Sequence, residues 1–467
     1  MRRTNLLFLI ISCFIVSEIS AQPQFFSSSL HKNRSGKPYW YNTVQNGGTG
    51  GFEILTGVPM THPNMGCVQC HGSNDANGNP YSTYDPSCSD CHKTDMTVDQ
   101  NQCFTCHSRQ GAEITVHLYS DVHRTADMKC WACHKSQDMH GDGTTYNSML
   151  EPGAVKAACE DCHIAGTTTL PSHASWDPHN GKLDCDACHA QAVISCYNCH
   201  FESQVEHHLK RPKQQIKDFV ILGNITKKGK VGVLSFQSLS YQGHTWVAMA
   251  PYHPHNIKKE GRVCTDCHAN FGGQIDAISD YNADGIMQFA KWNSSDSTLT
   301  WLKKIVPLPM DYKRSFKMDF ITFNGDPGSP VVASKNWSFV KGEADGFQLM
   351  YATPLSVEQM QKLGFNTTWV SVEEKTNEIP NGFSLEQNYP NPFNPSTTIK
   401  YSIPEESFVS LKVYDAIGNL VETILEKEQN SGVYTVQFDG TKLASGIYYY
   451  QIKTPKFTQT KKLMLLK

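Results

Sequence analysis

Cysteine and histidine recur in this 467-residue chain as one phrase, Cys-x-x-Cys-His, written eight times between Cys67 and His268. The thiol pairs are Cys67 and Cys70, Cys88 and Cys91, Cys103 and Cys106, Cys130 and Cys133, Cys159 and Cys162, Cys185 and Cys188, Cys196 and Cys199, and Cys264 and Cys267. Behind them stand His71, His92, His107, His134, His163, His189, His200 and His268. The phrase uses sixteen of the 17 cysteines. Two thiols three residues apart with an imidazole directly behind them are the attachment signature of c-type haem. The thiols bond the porphyrin edge, and the imidazole is held on the proximal side of the iron. Eight such sites predict eight covalent haems c.

Competing chemistries fail on the histidines. A structural zinc site needs four ligands in tetrahedral array and does not require a histidine after every second cysteine. A disulfide framework or a dithiol redox pair requires none at all. Only 20 of the 467 residues are histidine, so finding one at all eight positions is not an effect of composition.

Twelve histidines lie outside the phrase, enough to give every iron a second imidazole. Those expected to be distal ligands are His62, His117, His123, His140, His173, His179, His208 (or its neighbour His207) and His255. Most stand a few residues from a motif. His31, in a polar N-terminal arm, is expected to be free, His244 to belong to a β insertion, and His253 to be the alternate for His255. Met65, Met128 and Met139 read as packing rather than thioether ligands.

These side chains need a scaffold, and the chain suggests its divisions. Residues 1–21 read as a secretory signal peptide, with Arg2-Arg3, an apolar run from Leu6 to Val16 and Ser20-Ala21 at the cleavage point. Cys13 falls within its apolar core. Residues 22–60 form an arm, 61–275 the eight-motif domain, 276–377 an accessory region and 378–467 a C-terminal domain. Hydrophobic content is 39 %, low for one large core, so little regular secondary structure is expected between 60 and 210, only short helices and coil. Cys185 and Cys196 are close enough in sequence that their haems must nearly touch. The long step from Cys199 to Cys264 holds a β insertion at about 215–250. In it, Phe219–Leu222, Val231–Phe236 and Thr245–Met249 are β-rich and read as a hairpin or small meander projecting from the haems. Ser356-Val-Glu-Gln359 has capping-box spacing and opens a helix to Leu363, stopped by Gly364. A formal charge of −3 excludes a nucleic-acid partner driven by basic charge.

Beyond Glu378 the pattern becomes that of short alternating strands: Thr398–Ile403, Val409–Tyr414, Tyr434–Phe438 and Gly446–Ile452, which predict an all-β sandwich. With Asn388-Tyr-Pro-Asn-Pro-Phe-Asn-Pro395 at its start and Lys461-Lys-Leu-Met-Leu-Leu-Lys467 at its end, this region resembles the C-terminal sorting domain of the type IX secretion system. That resemblance implies contact with the secretion machinery, passage through periplasm and outer membrane, and a secreted or cell-surface product. Residues 60–275 resemble the bacterial multihaem c-type cytochromes, by count the octahaem ones. That resemblance implies a relay of electrons along the haems to or from other redox proteins or extracellular acceptors, with self-assembly into longer wires as a further form of partnership. Its alternative is an octahaem reductase of nitrite, hydroxylamine or tetrathionate. Because no motif departs from Cys-x-x-Cys-His and histidine is in surplus, the carrier is the expected member and no catalytic residue is assigned.

Overall fold

In the computed structural model, which describes residues 23–33, 53, 56–58, 62, 85–163, 178–329, 334–367 and 382–466, the stretch 85–163 is a succession of short helical turns joined by coil. The signal segment, the first motif (Cys67, Cys70, His71) and His173 lie outside the described residues. The chain divides into two compact units, 1–366 and 367–467. None of the helices among the described residues is long and apolar enough to cross a membrane.

The helices of the first unit are brief. Those that bear on the site are α1 (Leu30–Asn33), α2 (Gln100–Cys106), α3 (Val122–Thr125), α4 (Cys130–Cys133), α5 (Ser136–His140), α6 (Cys185–His189), α7 (Phe201–His207), α8 (Cys264–Cys267) and α9 (Val357–Leu363). Helices this short are not stable alone and depend on what they are tied to. Helix α9 is built as its sequence predicts. The Ser356 hydroxyl accepts from Gln359 N at 3.2 Å, Gln359 Oε1 accepts from Ser356 N at 2.8 Å, and Gly364 ends the helix at φ 95°.

A seven-stranded sheet forms the core of this unit. Its strands are β1 (Val193–His200), β2 (Pro212–Ile225), β3 (Lys230–Tyr241), β4 (His244–Pro251), β5 (Lys304–Pro307), β6 (Gly346–Leu349) and β7 (Ala352–Thr353), in the order β6-β4-β3-β1-β2-β7 with β5 alongside β2. The β-rich runs of the insertion are all strands, and β2, β3 and β4 make an antiparallel meander. The meander does not project. Val233, Leu234, Phe236, Trp246, Val247 and Ala248 are buried, and Phe236 packs edge-on against Tyr197 and Phe289. Apolar residues on both faces of these strands made covering layers inevitable. The region 276–377 supplies part of that cover and three strands of the sheet itself.

In the second unit, β8 (Ser384–Leu385), β9 (Ser396–Ile403) and β12 (Gly432–Asp439) form one sheet. The other contains β10 (Ser407–Tyr414), β11 (Leu420–Gln429), β13 (Gly446–Lys453) and β14 (Thr458–Leu465), ordered β11-β10-β13-β14. Alternate residues of both sheets, among them Ile399, Tyr401, Leu411, Val413, Val436, Tyr450 and Leu463, close on one core. This is the expected sandwich, a period-2 pattern buried on one side.

Candidate metal centres

Six of the seven described motifs fold as a single helical turn. The backbone N–H of the motif histidine reaches the carbonyl of the first cysteine in five of them: His92 to Cys88 at 2.8 Å, His107 to Cys103 at 2.8 Å, His134 to Cys130 at 3.0 Å, His163 to Cys159 at 2.9 Å and His268 to Cys264 at 2.9 Å. The sixth, Cys185–His189, is helix α6 itself. Local residues enforce the turn. Asp90, Asp161 and Asp266, each just before the second cysteine, accept from the N–H of Ser87 (2.7 Å), Ala158 (3.0 Å) and Val263 (2.9 Å). Asp184 does the same for Cys185 N at 3.1 Å. A turn of this kind sends both thiols and the imidazole towards one side, as one porphyrin requires.

The imidazoles come in pairs, one from a motif and one from elsewhere. Ring centroids lie 6.1 Å apart for His107 and His31, 5.9 Å for His92 and His140, 6.0 Å for His163 and His123, 6.3 Å for His134 and His255, and 6.0 Å for His268 and His179. An imidazole nitrogen sits about 2.0 Å from a first-row metal, so two rings on opposite sides of one ion have centroids about 6 Å apart. In four of the ten rings Nδ1 is tethered: His92 to Met96 O (3.0 Å), His268 to Lys362 O (2.7 Å), His134 to Asp138 Oδ2 (3.1 Å) and His140 to Ser136 Oγ (2.8 Å), whereas Nδ1 of His31, His163 and His255 is buried without a hydrogen-bond partner. In those four rings that leaves Nε2 for a metal, the usual division of labour on a ligating histidine. Burial lowers the pKa of His107 to about 4, with help from His31 and His134, and burial with help from His134 lowers that of His255 to about 4. Both are neutral near pH 7, the form that binds a metal.

The pairing departs from expectation in several places. His31 is not free: it is half-buried, its ring faces that of His107, and its Nδ1 is a buried atom without a hydrogen-bond partner. His117 is paired with none of the described motif histidines. Its Nε2 hydrogen-bonds Gln215 Oε1 at 2.8 Å and its ring lies beside Tyr119. His208 ends α7 in the left-handed region at φ 57°, and His207 lies against Gly328. His62 is described as a single residue between undescribed stretches. His189 Nδ1 is held by Lys258 O at 2.9 Å.

The thiols form a spatial series. Those of Cys103 and Cys130 hydrogen-bond each other, as do those of Cys159 and Cys185, which with Glu160 lie within 4.8 Å of one another. Burial and then the adjacent Cys103 push the Cys91 thiol up, and burial and then Cys162 do so for Cys133. Burial raises Cys267 to about 12, against Arg262 and with Cys188 adding to it. Motifs two, three, four, five, six and eight are thus neighbours in that order. Around them Met96, Val116, Leu118, Trp131, Val263 and Phe271 are exposed, an apolar surface of the kind a porphyrin covers. These residues fit haem.

The seventh motif does not. Cys196, Cys199 and His200 lie in β1, where Cys196 pairs with Gln215 and Cys199 with Pro212, and His200 N bonds Arg211 O at 2.9 Å rather than turning back to Cys196. His200 is 5 % exposed. Its Nδ1 meets Ser203 Oγ at 3.0 Å, its Nε2 meets Glu202 Oε2 at 3.2 Å, and its ring packs on Phe323.

Residues 387–466 match the family of secretion system C-terminal sorting domains. The protein is therefore exported by the type IX route to the cell surface or extracellular space and engages that machinery. A search of curated proteins finds no match.

Proposed function

We propose that this is a surface or secreted multihaem c-type cytochrome that relays electrons between the cell envelope and an external acceptor or partner protein. The observation that carries the reading is the set of five imidazole pairs, each joining a motif histidine to one from elsewhere at 5.9–6.3 Å. Composition or a disulfide framework explains the cysteines but not that spacing.

The residues divide the work. Each turn-forming motif would hold a haem by two thioethers and one imidazole, and the facing histidine would close the sixth position. Bound haem would supply one-electron exchange between ferric and ferrous iron. The paired imidazoles would both bind the iron, which would favour transfer over ligand activation, and the fold brings successive attachment points into contact. The thiol neighbours run from Cys88 to Cys267 and pass from motif six directly to motif eight. The sorting domain then delivers this conductor to the outside of the cell, where a soluble cytosolic reductant is not its partner.

Purified protein is expected to give a c-type pyridine haemochrome and a low-spin oxidised spectrum, with intact mass reporting several covalent haems. No covalent haem at all would overturn the reading. A large high-spin fraction that turns over nitrite or hydroxylamine would replace it with the reductase.

A further inference from the structure

Two aspartates bracket Cys185, the first thiol of the sixth motif, and neither faces solvent. The side chains of Asp184 and Asp186 are each 6 % exposed. Asp184 Oδ1 takes the N–H of Cys185 at 3.1 Å, and its Oδ2 meets Lys228 Nζ at 2.5 Å. Asp186 Oδ2 lies 2.6 Å from His253 Nδ1, while its Oδ1 is buried without a hydrogen-bond partner. One donor atom from each of Asp184, Asp186 and His253 lies within 4.8 Å of the others.

The sheet holds these donors in place. Asp184 N bonds Val231 O at 2.8 Å, and Tyr252 N, next to His253, bonds Val233 O at 2.9 Å, so alternate residues of β3 anchor both arms of the cluster. Half of the His253 side chain is exposed, which opens a path from solvent. Lys228 supplies one positive charge against two buried carboxylates, and the bare Asp186 oxygen has no donor. Buried carboxylates are stable only when cations or donors surround them. A divalent ion would supply both the charge and the partner, and the Asp184 oxygens have lone pairs to spare beyond their present bonds. Two carboxylates with one imidazole are a ligand set for zinc, which takes oxygen and nitrogen at about 2.0–2.2 Å and keeps a further position for water. Calcium and magnesium prefer oxygen alone.

We propose that Asp184, Asp186 and His253 form a binding site for a divalent transition-metal ion of the zinc type, separate from the haem irons. The site itself needs no haem, but its consequence rests on the haem reading above. The Cys185 thiol lies against that of Cys159 in the fifth motif, so an ion held beside Cys185 stands where the fifth and sixth centres meet. Positive charge placed there favours ferrous over ferric iron and draws electrons towards this part of the series.

The test uses the full haem-loaded protein, stripped of loosely held metal by a chelator and titrated with zinc alone. Wild type should take up one zinc ion ahead of any other, and His253→Gln and Asp186→Asn should each weaken that site by about tenfold or more. X-ray absorption at the zinc edge should show one imidazole and oxygen donors, with no sulfur. In a spectroelectrochemical titration, zinc should move a haem step upward in wild type and leave His253→Gln as it was. Should Asp186→Asn not accumulate, the half-exposed His253 decides alone. A wild type without such a site, variants that bind zinc as wild type does, or calcium that displaces zinc at equal concentration overturns the proposal. So does sulfur around the zinc, which would place the ion at Cys159, Glu160 and Cys185, also within 4.8 Å of one another. A chain that carries no haem fails the cytochrome reading but still titrates with zinc, so the two failures are told apart.

Discussion

Cys185–His189 and Cys196–His200 carry the same phrase within one short stretch and fold in opposite ways, the first as helix α6 and the second as the end of strand β1. Five residues in a helical turn advance about 6 Å, which keeps two thiols and an imidazole over one porphyrin. The same residues run extended in β1 over about 13 Å, with Asn198 in the left-handed region at φ 46°, so no helical turn gathers the two thiols and the imidazole. The difference lies outside the phrase. Asp184 caps α6, whereas Val193-Ile194-Ser195 precede Cys196, Tyr197 is wholly buried, and Asn198 bonds the Ser240 hydroxyl and the Ile321 carbonyl. In one site the chain is shaped by its cysteines, in the other by its neighbours in a sheet.

Haem stoichiometry gives the largest effect with which to break this contrast. Replacing Cys185 and Cys188 by Ala should cost one haem by intact mass, while replacing Cys196 and Cys199 should leave the count unchanged. Equal losses would show that both copies are attachment sites and that β1 rearranges on loading. Spin state sharpens the contrast at the level of a single iron. His255→Ala should convert one centre to high spin and open it to added ligands. His200→Gln should leave the low-spin spectrum as it is, and a new high-spin signal from that variant would return His200 to the ligands.

The smallest effect is in pH. Burial lowers the His200 pKa below the ordinary 6.5, although Glu202 opposes it. The unfolded chain then takes up more protons than the folded one as pH falls through about 6.5. Stability contributed by neutral His200 is complete above that value and declines below it, until the lowered folded pKa is reached. Wild type should therefore lose more of its denaturant midpoint between pH 7.5 and 5.5 than His200→Gln does. Identical losses would mean that the ring does not titrate as a buried free base.

What could be read in advance was what is local. The turn-forming motifs, the capping box at Ser356 and the alternating strands of the second unit each declare themselves within ten residues. Strand β11 did not, because most of Leu420–Gln429 is exposed or half-exposed on both faces and its charged residues leave no alternation. Which histidine meets which motif is a long-range property, so neither the facing of His31 and His107 nor the bond from His117 to Gln215 is legible in the sequence. The conformation of the seventh motif was foreshadowed by Val193, Ile194 and Tyr197, residues of high β-propensity that a count of motifs ignores.

The five imidazole pairs have a mechanical meaning as well. Coordination at each would act as a cross-link, and the longest, His134 to His255, closes a loop of roughly 120 residues, so ligation would take about 5 kcal/mol of chain entropy from the unfolded state. Taken by residue number, 31–107 overlaps 92–140, which overlaps 123–163, then 134–255, then 179–268. The loops interlock like the rings of a mail shirt. No cut between them frees a self-contained piece, so the first unit would melt as a whole, and a chain shortened anywhere in this span would lose half of at least one clasp.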